Sequence, residues 1–280
     1  SYMFYDANMS DISNCQGLND MLNNSNKLNN MQGMFKNVKS LGCILGESLN
    51  FGDWKTDKVT DMSDMFNNCK IDTIFDGSCE NLLGDVRFRS NYWNTGNVKN
   101  MSNMFYNFTD SNDKVKLMVG HWNVSKVENM SGMFKLGPNT NLQIFGPQNN
   151  QNQDNGFSSW DVKNVEDMSD MFNSSMDYYK GTSAFSNDIS RNNIFDDVSK
   201  WELDEIKTVE NMFKDFTNTD SSNFPPDLNN YLKNIRYLSE WNEYLFEDNG
   251  SGLKTNINNI FHYSSVRLAY NNIGEFMSII

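Results

Sequence analysis

A thirteen-residue block recurs along this chain, and no other feature constrains its fold as much. Residues 54–66 read WKTDKVTDMSDMF, 93–105 WNTGNVKNMSNMF, 122–134 WNVSKVENMSGMF, 160–172 WDVKNVEDMSDMF and 201–213 WELDEIKTVENMF. The shared template is W-x4-V-x2-M-S-x-M-F. Counted from Trp, position +5 is aliphatic, +8 is Met or Val, +11 is Met and +12 is Phe. A chain built this way cannot be read as one irregular core. Each unit buries its apolar face only against its neighbours.

Weaker copies extend the array. Residues 28–35, LNNMQGMF, keep Leu28, Met31, Met34 and Phe35 but carry Asn23 where Trp belongs. Met3-Phe4 matches the tail of a block, and so does INNIF at 257–261. The Phe positions 4, 35, 66, 105, 134, 172, 213 and 261 are separated by 31, 31, 39, 29, 38, 41 and 48 residues. A fixed block with variable spacers predicts one supersecondary unit per repeat, with insertions in loops.

Within a block, V-x2-M-x2-M-F spaces apolar residues at i, i+3, i+6 and i+7, which predicts a short helical face. Thr60-Asp61 before Met62 suits a helix N-cap. Period-two apolar pieces precede several Trp residues, as in Leu49-Asn50-Phe51 and Val115–Val119, and predict short strands. The expected fold class is α/β: a repeat solenoid, leucine-rich-repeat-like, with a short strand and a short helix per coil. Phe66, Phe105, Phe134, Phe172 and Phe213 are expected to be buried and stacked. Residues 1–224 form the expected array, and 145–156, FGPQNNQNQDNG, an exposed loop. Pro225-Pro226-Asp227 opens an expected helix with Leu228, Tyr231, Leu232, Ile235, Leu238 and Leu245 on one face. Residues 225–280 are read as a degenerate repeat and helical C-terminal cap.

The block, with Cys69 three residues after Phe66 and the spacer Phe185-Ser186-Asn187-Asp188-Ile189-Ser190, resembles the BspA-type leucine-rich-repeat-like surface proteins. The resemblance is to their Met-Phe-rich subclass, found in bacterial lipoproteins and adhesins and in some protist and viral proteins. It covers about residues 20–215. It implies an α/β solenoid with a surface-exposed, ligand-binding or adhesive role, and it supplies no catalytic residues.

Composition narrows the function classes. The net charge of -13 disfavours nucleic acid and anionic membranes as partners. No apolar stretch reaches the ~18 residues of a membrane helix, and residues 1–30 lack a signal-peptide pattern. Asn accounts for 46 of the 280 residues, while 37 aromatics argue against disorder. Cys15, Cys43, Cys69 and Cys79 are irregularly spaced without CxxC, and His121 and His262 are the two histidines. They predict no zinc site; small core thiols are the first reading and one disulfide the second.

The five block Trp residues are read as core slots in preference to a glycan-stacking ladder, and the Met-Phe pairs as packing. Acidic residues such as Asp61, Asp64, Asp167 and Asp170 are replaced by Asn or Gly in other blocks, which disfavours a calcium ladder. No nucleophile elbow, zincin motif or phosphate loop occurs, and His121 lacks a catalytic partner. N-x-S/T sequons such as Asn100-Met101-Ser102 fall on repeat positions. The expectation is a non-enzymatic recognition or adhesion module, without cofactor or metal, at the cell surface or outside the cell. Its partner would be a protein or glycan, and Tyr92, Tyr178 and Tyr179 are the candidate contact residues. The alternative is a structural spacer or cementing component of a larger assembly, such as a virion or surface layer.

Overall fold

A computed structural model describes residues 2–6, 8–9, 27–42, 54–72, 93–110, 114–120, 122–137, 141–145, 148–149, 152–153, 159–173, 184–186, 198, 200–214, 241–245, 255–257 and 260. The blocks lie side by side in chain order. Parallel bridges join Asn30, Asp61, Asn100, Asn129, Asp167, Thr208 and Asn256 in succession, all at position +7.

The block backbone is a chain of turns, and here the structure corrects the expected short helix. The N–H groups at +5, +11, +13 and +15 bond the carbonyl three residues back: Val59 to Thr56, Met65 to Met62, Asn67 to Asp64 and Cys69 to Phe66. The N–H groups at +8, +10, +12 and +14 leave the block. Met62, Asp64, Phe66 and Asn68 donate to the carbonyls of Asn100, Ser102, Met104 and Tyr106 at 2.8–2.9 Å. An α-helix would need those donors for its own i−4 carbonyls. Position +10 also breaks any helix. Gly33, Asp64, Asn103, Gly132, Asp170 and Asn211 all have φ of 52–59°. Only Gly, Asn and Asp enter that left-handed region readily, so part of the Asn-rich composition answers to backbone geometry. Position +14 repeats the device at Asn37, Asn68 and Asn107. Tyr2 also stands at +10, with φ 51°.

The same logic replaces the expected N-cap. Asp61 Oδ1 accepts from the Ser63 N–H and hydroxyl, and Asp167 treats Ser169 alike. Asn129 does so for Ser131. These are Asx turns, in which a short side chain satisfies backbone two residues on. They explain why D/N-M-S is part of the block.

Short strands follow or precede the blocks. β1 (Asn8–Met9), β2 (Ser40–Gly42), β3 (Lys70–Asp72) and β4 (Thr109–Asp110) form a parallel sheet in that order. A second parallel sheet runs β5 (Lys114–Met118), β6 (Asn141–Phe145), β9 (Ala184–Ser186), with Val115 opposite Leu142 and Leu142 opposite Phe185. β5 falls on the period-two stretch at Val115–Val119. Between β6 and β9, β7 (Gln148–Asn149) pairs antiparallel with β8 (Asn152–Gln153), within the segment expected to be a plain loop. A short helix among the described residues, α1 (Asn242–Leu245), lies at the end of the expected C-terminal helix. Residues 225–240 of that expectation, and the strand expected at Leu49–Phe51, lie outside the described residues.

The core consists of columns. Phe4, Phe35, Phe66, Phe105, Phe134, Phe172 and Phe213 stack ring on ring, with centroids 5.4–5.9 Å apart and planes within 12° of parallel. A second column places Trp54 on Trp93 on Trp122, at 6.0 and 5.8 Å, and Trp160 on Trp201 at 6.2 Å. Trp54, Trp93, Trp122 and Trp160 also meet the Phe of the block before, as Trp93 meets Phe66 at 6.4 Å. The methionines at +8 and +11 are buried beside them. Offset-stacked aromatic pairs contribute roughly 0.5–1.5 kcal/mol beyond burial. Trp241 lies within residues 225–280, read above as a degenerate repeat and cap. The structure gives it the Trp role: its Nε1 donates to Val198 O, three residues before Trp201. Trp160 Nε1 likewise donates to Val119 O, three residues before Trp122.

Candidate partner-binding surface

Tyr92, Tyr178 and Tyr179 lie outside the described residues, as do His121, His262, Cys15, Cys43 and Cys79. Trp54, Trp93, Trp122, Trp160 and Trp201 are buried. Their faces are taken by neighbouring rings, so they offer no ladder on which a glycan could stack.

What the blocks present outward is positions +1, +3, +4 and +6 of their first turn, while +2 and +5 are buried. Asx turns shape it: Asn94 Oδ1 accepts from Gly96 N–H, and Asn123 Oδ1 from the N–H and hydroxyl of Ser125. Successive blocks then bond through like positions. Lys126 Nζ donates to Asn97 Oδ1 at 2.7 Å, Asn97 Nδ2 to Asp57 O at 2.8 Å, and Asn164 Nδ2 to Ser125 O at 2.7 Å. At +6, Lys99 pairs with Glu128 and Lys207 with Glu166, both at 2.6 Å. Lys163 pairs with Glu202, and that hydrogen bond and charge raise the Lys163 pKa above its ordinary value. Such exposed pairs contribute little stability each. Their effect is to hold the polar side chains of adjacent blocks in register.

A second polar column stands at +14. Asn107 Nδ2 donates to Asn68 Oδ1 at 2.8 Å, and Asn68 Nδ2 to Asn37 Oδ1 at 3.2 Å. Beyond it, the first described block exposes Tyr2, Met3 and Tyr5 at 41, 52 and 47%. The occupancy of +10 by Asn, Asp or Gly, repeated at +14 in Asn37, Asn68 and Asn107, was the sequence signal for these turns. The exposed cluster at Tyr2, Met3 and Tyr5 had none: Met3 stands at +11, which is buried in the other described blocks, and the two tyrosines stand at +10 and +13.

Among the described residues no three His, Cys, Asp or Glu side chains converge as metal ligands. Cys69 is a free, fully buried thiol, and burial holds its pKa far above the usual range. A reactive cysteine needs the opposite environment. No helix among the described residues is long and apolar enough to cross a membrane.

The arrangement is therefore a regular polar surface laid over stacked aromatic and methionine columns. No curated protein and no solved structure matches the chain. A family profile described as a Mycoplasma protein of unknown function, DUF285, matches residues 1–194 and 142–243. With those two segments spanning most of its length, the chain belongs to the DUF285 family of repeat proteins.

Proposed function

We propose that this chain is a recognition or adhesion module of the BspA-like type, a non-catalytic solenoid displayed at the cell surface or outside the cell. The reading rests on one observation: successive blocks carry the same polar turn in parallel register. Asn97, Lys126 and Asn164 all stand at the +4 position and link neighbouring blocks. A surface of this kind suits an extended protein or glycan partner that touches several blocks at once, with weak contacts summed over area. The scarcity of basic clusters and the net charge of -13 argue against nucleic acid. Within the spacers, Tyr92, Tyr178 and Tyr179 supply the aromatic contacts that such interfaces favour.

The test is binding of the purified 280-residue chain to a glycan array and to a panel of extracellular matrix proteins. Saturable binding, reduced at least tenfold in the Tyr92→Ala, Tyr178→Ala, Tyr179→Ala triple variant, supports the reading. Absence of binding to either set, or binding that the triple variant leaves unchanged, overturns it.

A further inference from the structure

Two places in the array bring a lysine amine, a carboxylate and an asparagine amide onto a single oxygen. Lys36 Nζ lies 3.1 Å from Asp64 Oδ1, and Asn67 Nδ2 donates to that same Oδ1. Three blocks later the constellation recurs. Lys135 Nζ lies 3.0 Å from Asp170 Oδ1, and Asn173 Nδ2 donates to it. In both cases the lysine occupies position +13 of one block, and the Asp and Asn occupy +10 and +13 of the next. In both, the lysine-bearing block has glycine at +10, Gly33 or Gly132.

The surroundings differ from those of the surface ion pairs. Asn67 and Asn173 are buried, at 7 and 4% exposure. Lys36 and Asp64 keep only 24 and 18% of their side-chain surface, whereas Lys99 and Glu128 keep over half. The Lys135 ammonium also lies 5.9 Å from the Tyr106 ring centroid. An amine and a side-chain amide brought to one carboxylate oxygen in a partly dehydrated site supply the proximity that intramolecular acyl transfer requires.

We propose that these triads form lysine–asparagine isopeptide bonds, Lys36 to Asn67 and Lys135 to Asn173, each joining one block covalently to the next. Asp64 takes a proton from the Lys36 ammonium. The freed Nζ attacks the Asn67 Cγ and forms the new C–N bond. Asp64 then returns its proton to Nδ2 as the Cγ–Nδ2 bond breaks, and passes a second proton from Nζ to the departing ammonia. The lysine ammonium and the side-chain amide become a secondary amide plus one ammonium ion, with Asp64 restored to its carboxylate. No oxidant, metal or other reactant enters. Asp170 plays the same part for Lys135 and Asn173. Both aspartates touch both reacting groups, so they are catalytic residues of this step.

The experiment is denaturing intact-mass spectrometry of the purified chain, followed by peptide mapping. The expected mass is lower than the sequence mass by one ammonia per bridge. Branched peptides should join Lys36 to Asn67 and Lys135 to Asn173. Asp64→Asn and Asp170→Asn should each restore one ammonia of mass. Asn already serves at the equivalent +10 position in Asn103 and Asn211, with positive φ, so these variants keep the fold, which circular dichroism checks. The full sequence mass in folded protein, with all four residues in linear peptides, overturns the proposal. So does an ammonia loss confined to a linear peptide, which is asparagine cyclisation. A bridge at one triad alone overturns the equivalence of the two sites.

Discussion

Gly132 lies directly beneath the side chain of Asn103: a Cβ at Gly132 would stand 2.3 Å from Asn103 Oδ1. Gly132 also has φ +59°, so a Cβ there meets backbone strain and must displace the Asn103 amide as well. Gly132→Ala is expected to cost more than the roughly 1–2 kcal/mol of left-handed strain alone. Asn103→Gly in the same chain should recover only the contact part. Chemical denaturation of the two single variants and the double variant checks this. Equal stability of wild type and Gly132→Ala would contradict it.

Phe134 is flanked on both faces, by Phe105 at 5.9 Å and Phe172 at 5.9 Å. Phe134→Ala is expected to cost about 3–5 kcal/mol, the usual penalty for emptying an aromatic core site. Phe4 meets one described neighbour, Phe35, and is only partly buried. Phe4→Ala should therefore cost clearly less. Urea unfolding midpoints decide the order, and a larger loss at Phe4 would refute the column as the source of stability.

Cys69 gives a pH dependence with a definite sign. Burial raises its folded-state pKa above the unfolded value. The neutral thiol of the folded state is matched in the unfolded chain only below the ordinary thiol pKa, near 8.5. Above that pH the unfolded thiol ionises and the folded one does not, so stability falls as pH rises. Cys69→Ala should flatten this fall between about pH 8.5 and 10. In native protein, alkylation mapped by mass spectrometry should leave Cys69 unmodified. Rapid labelling of Cys69 without unfolding would oppose the burial.

The columns were legible because side-chain identity at a fixed offset is what a column needs: Trp54, Met62, Met65 and Phe66 recur as Trp93, Met101, Met104 and Phe105. β5 was legible through the alternation of Val115 and Leu117 with Lys114 and Lys116. The turn backbone was misread as helix because apolar spacings of three and seven satisfy both. Residues Asp64, Asn103 and Gly132 at +10 held the discriminating information, since a helix has no reason to ask for them. Trp241 escaped notice because its role depends on its bond to Val198 rather than on a fixed distance to Asn256. The Lys36–Asp64 and Lys135–Asp170 contacts join different blocks, and no local pattern announces them. The proposed contact residues Tyr92, Tyr178 and Tyr179 sit in spacers that obey no template.

The alternation of donors along a block, one turning back within it and the next reaching forward, also governs how such a chain can change over generations. Removing or duplicating a whole block leaves Met62, Asp64 and Phe66 facing carbonyls of the same kind as those of Asn100, Ser102 and Met104. Adding one residue between Met62 and Phe66 would exchange the two classes of N–H, sending forward those that should turn back. The spacers differ in length from copy to copy while the block keeps its offsets. The smallest change of length that this ladder accommodates within a block is therefore the entire block.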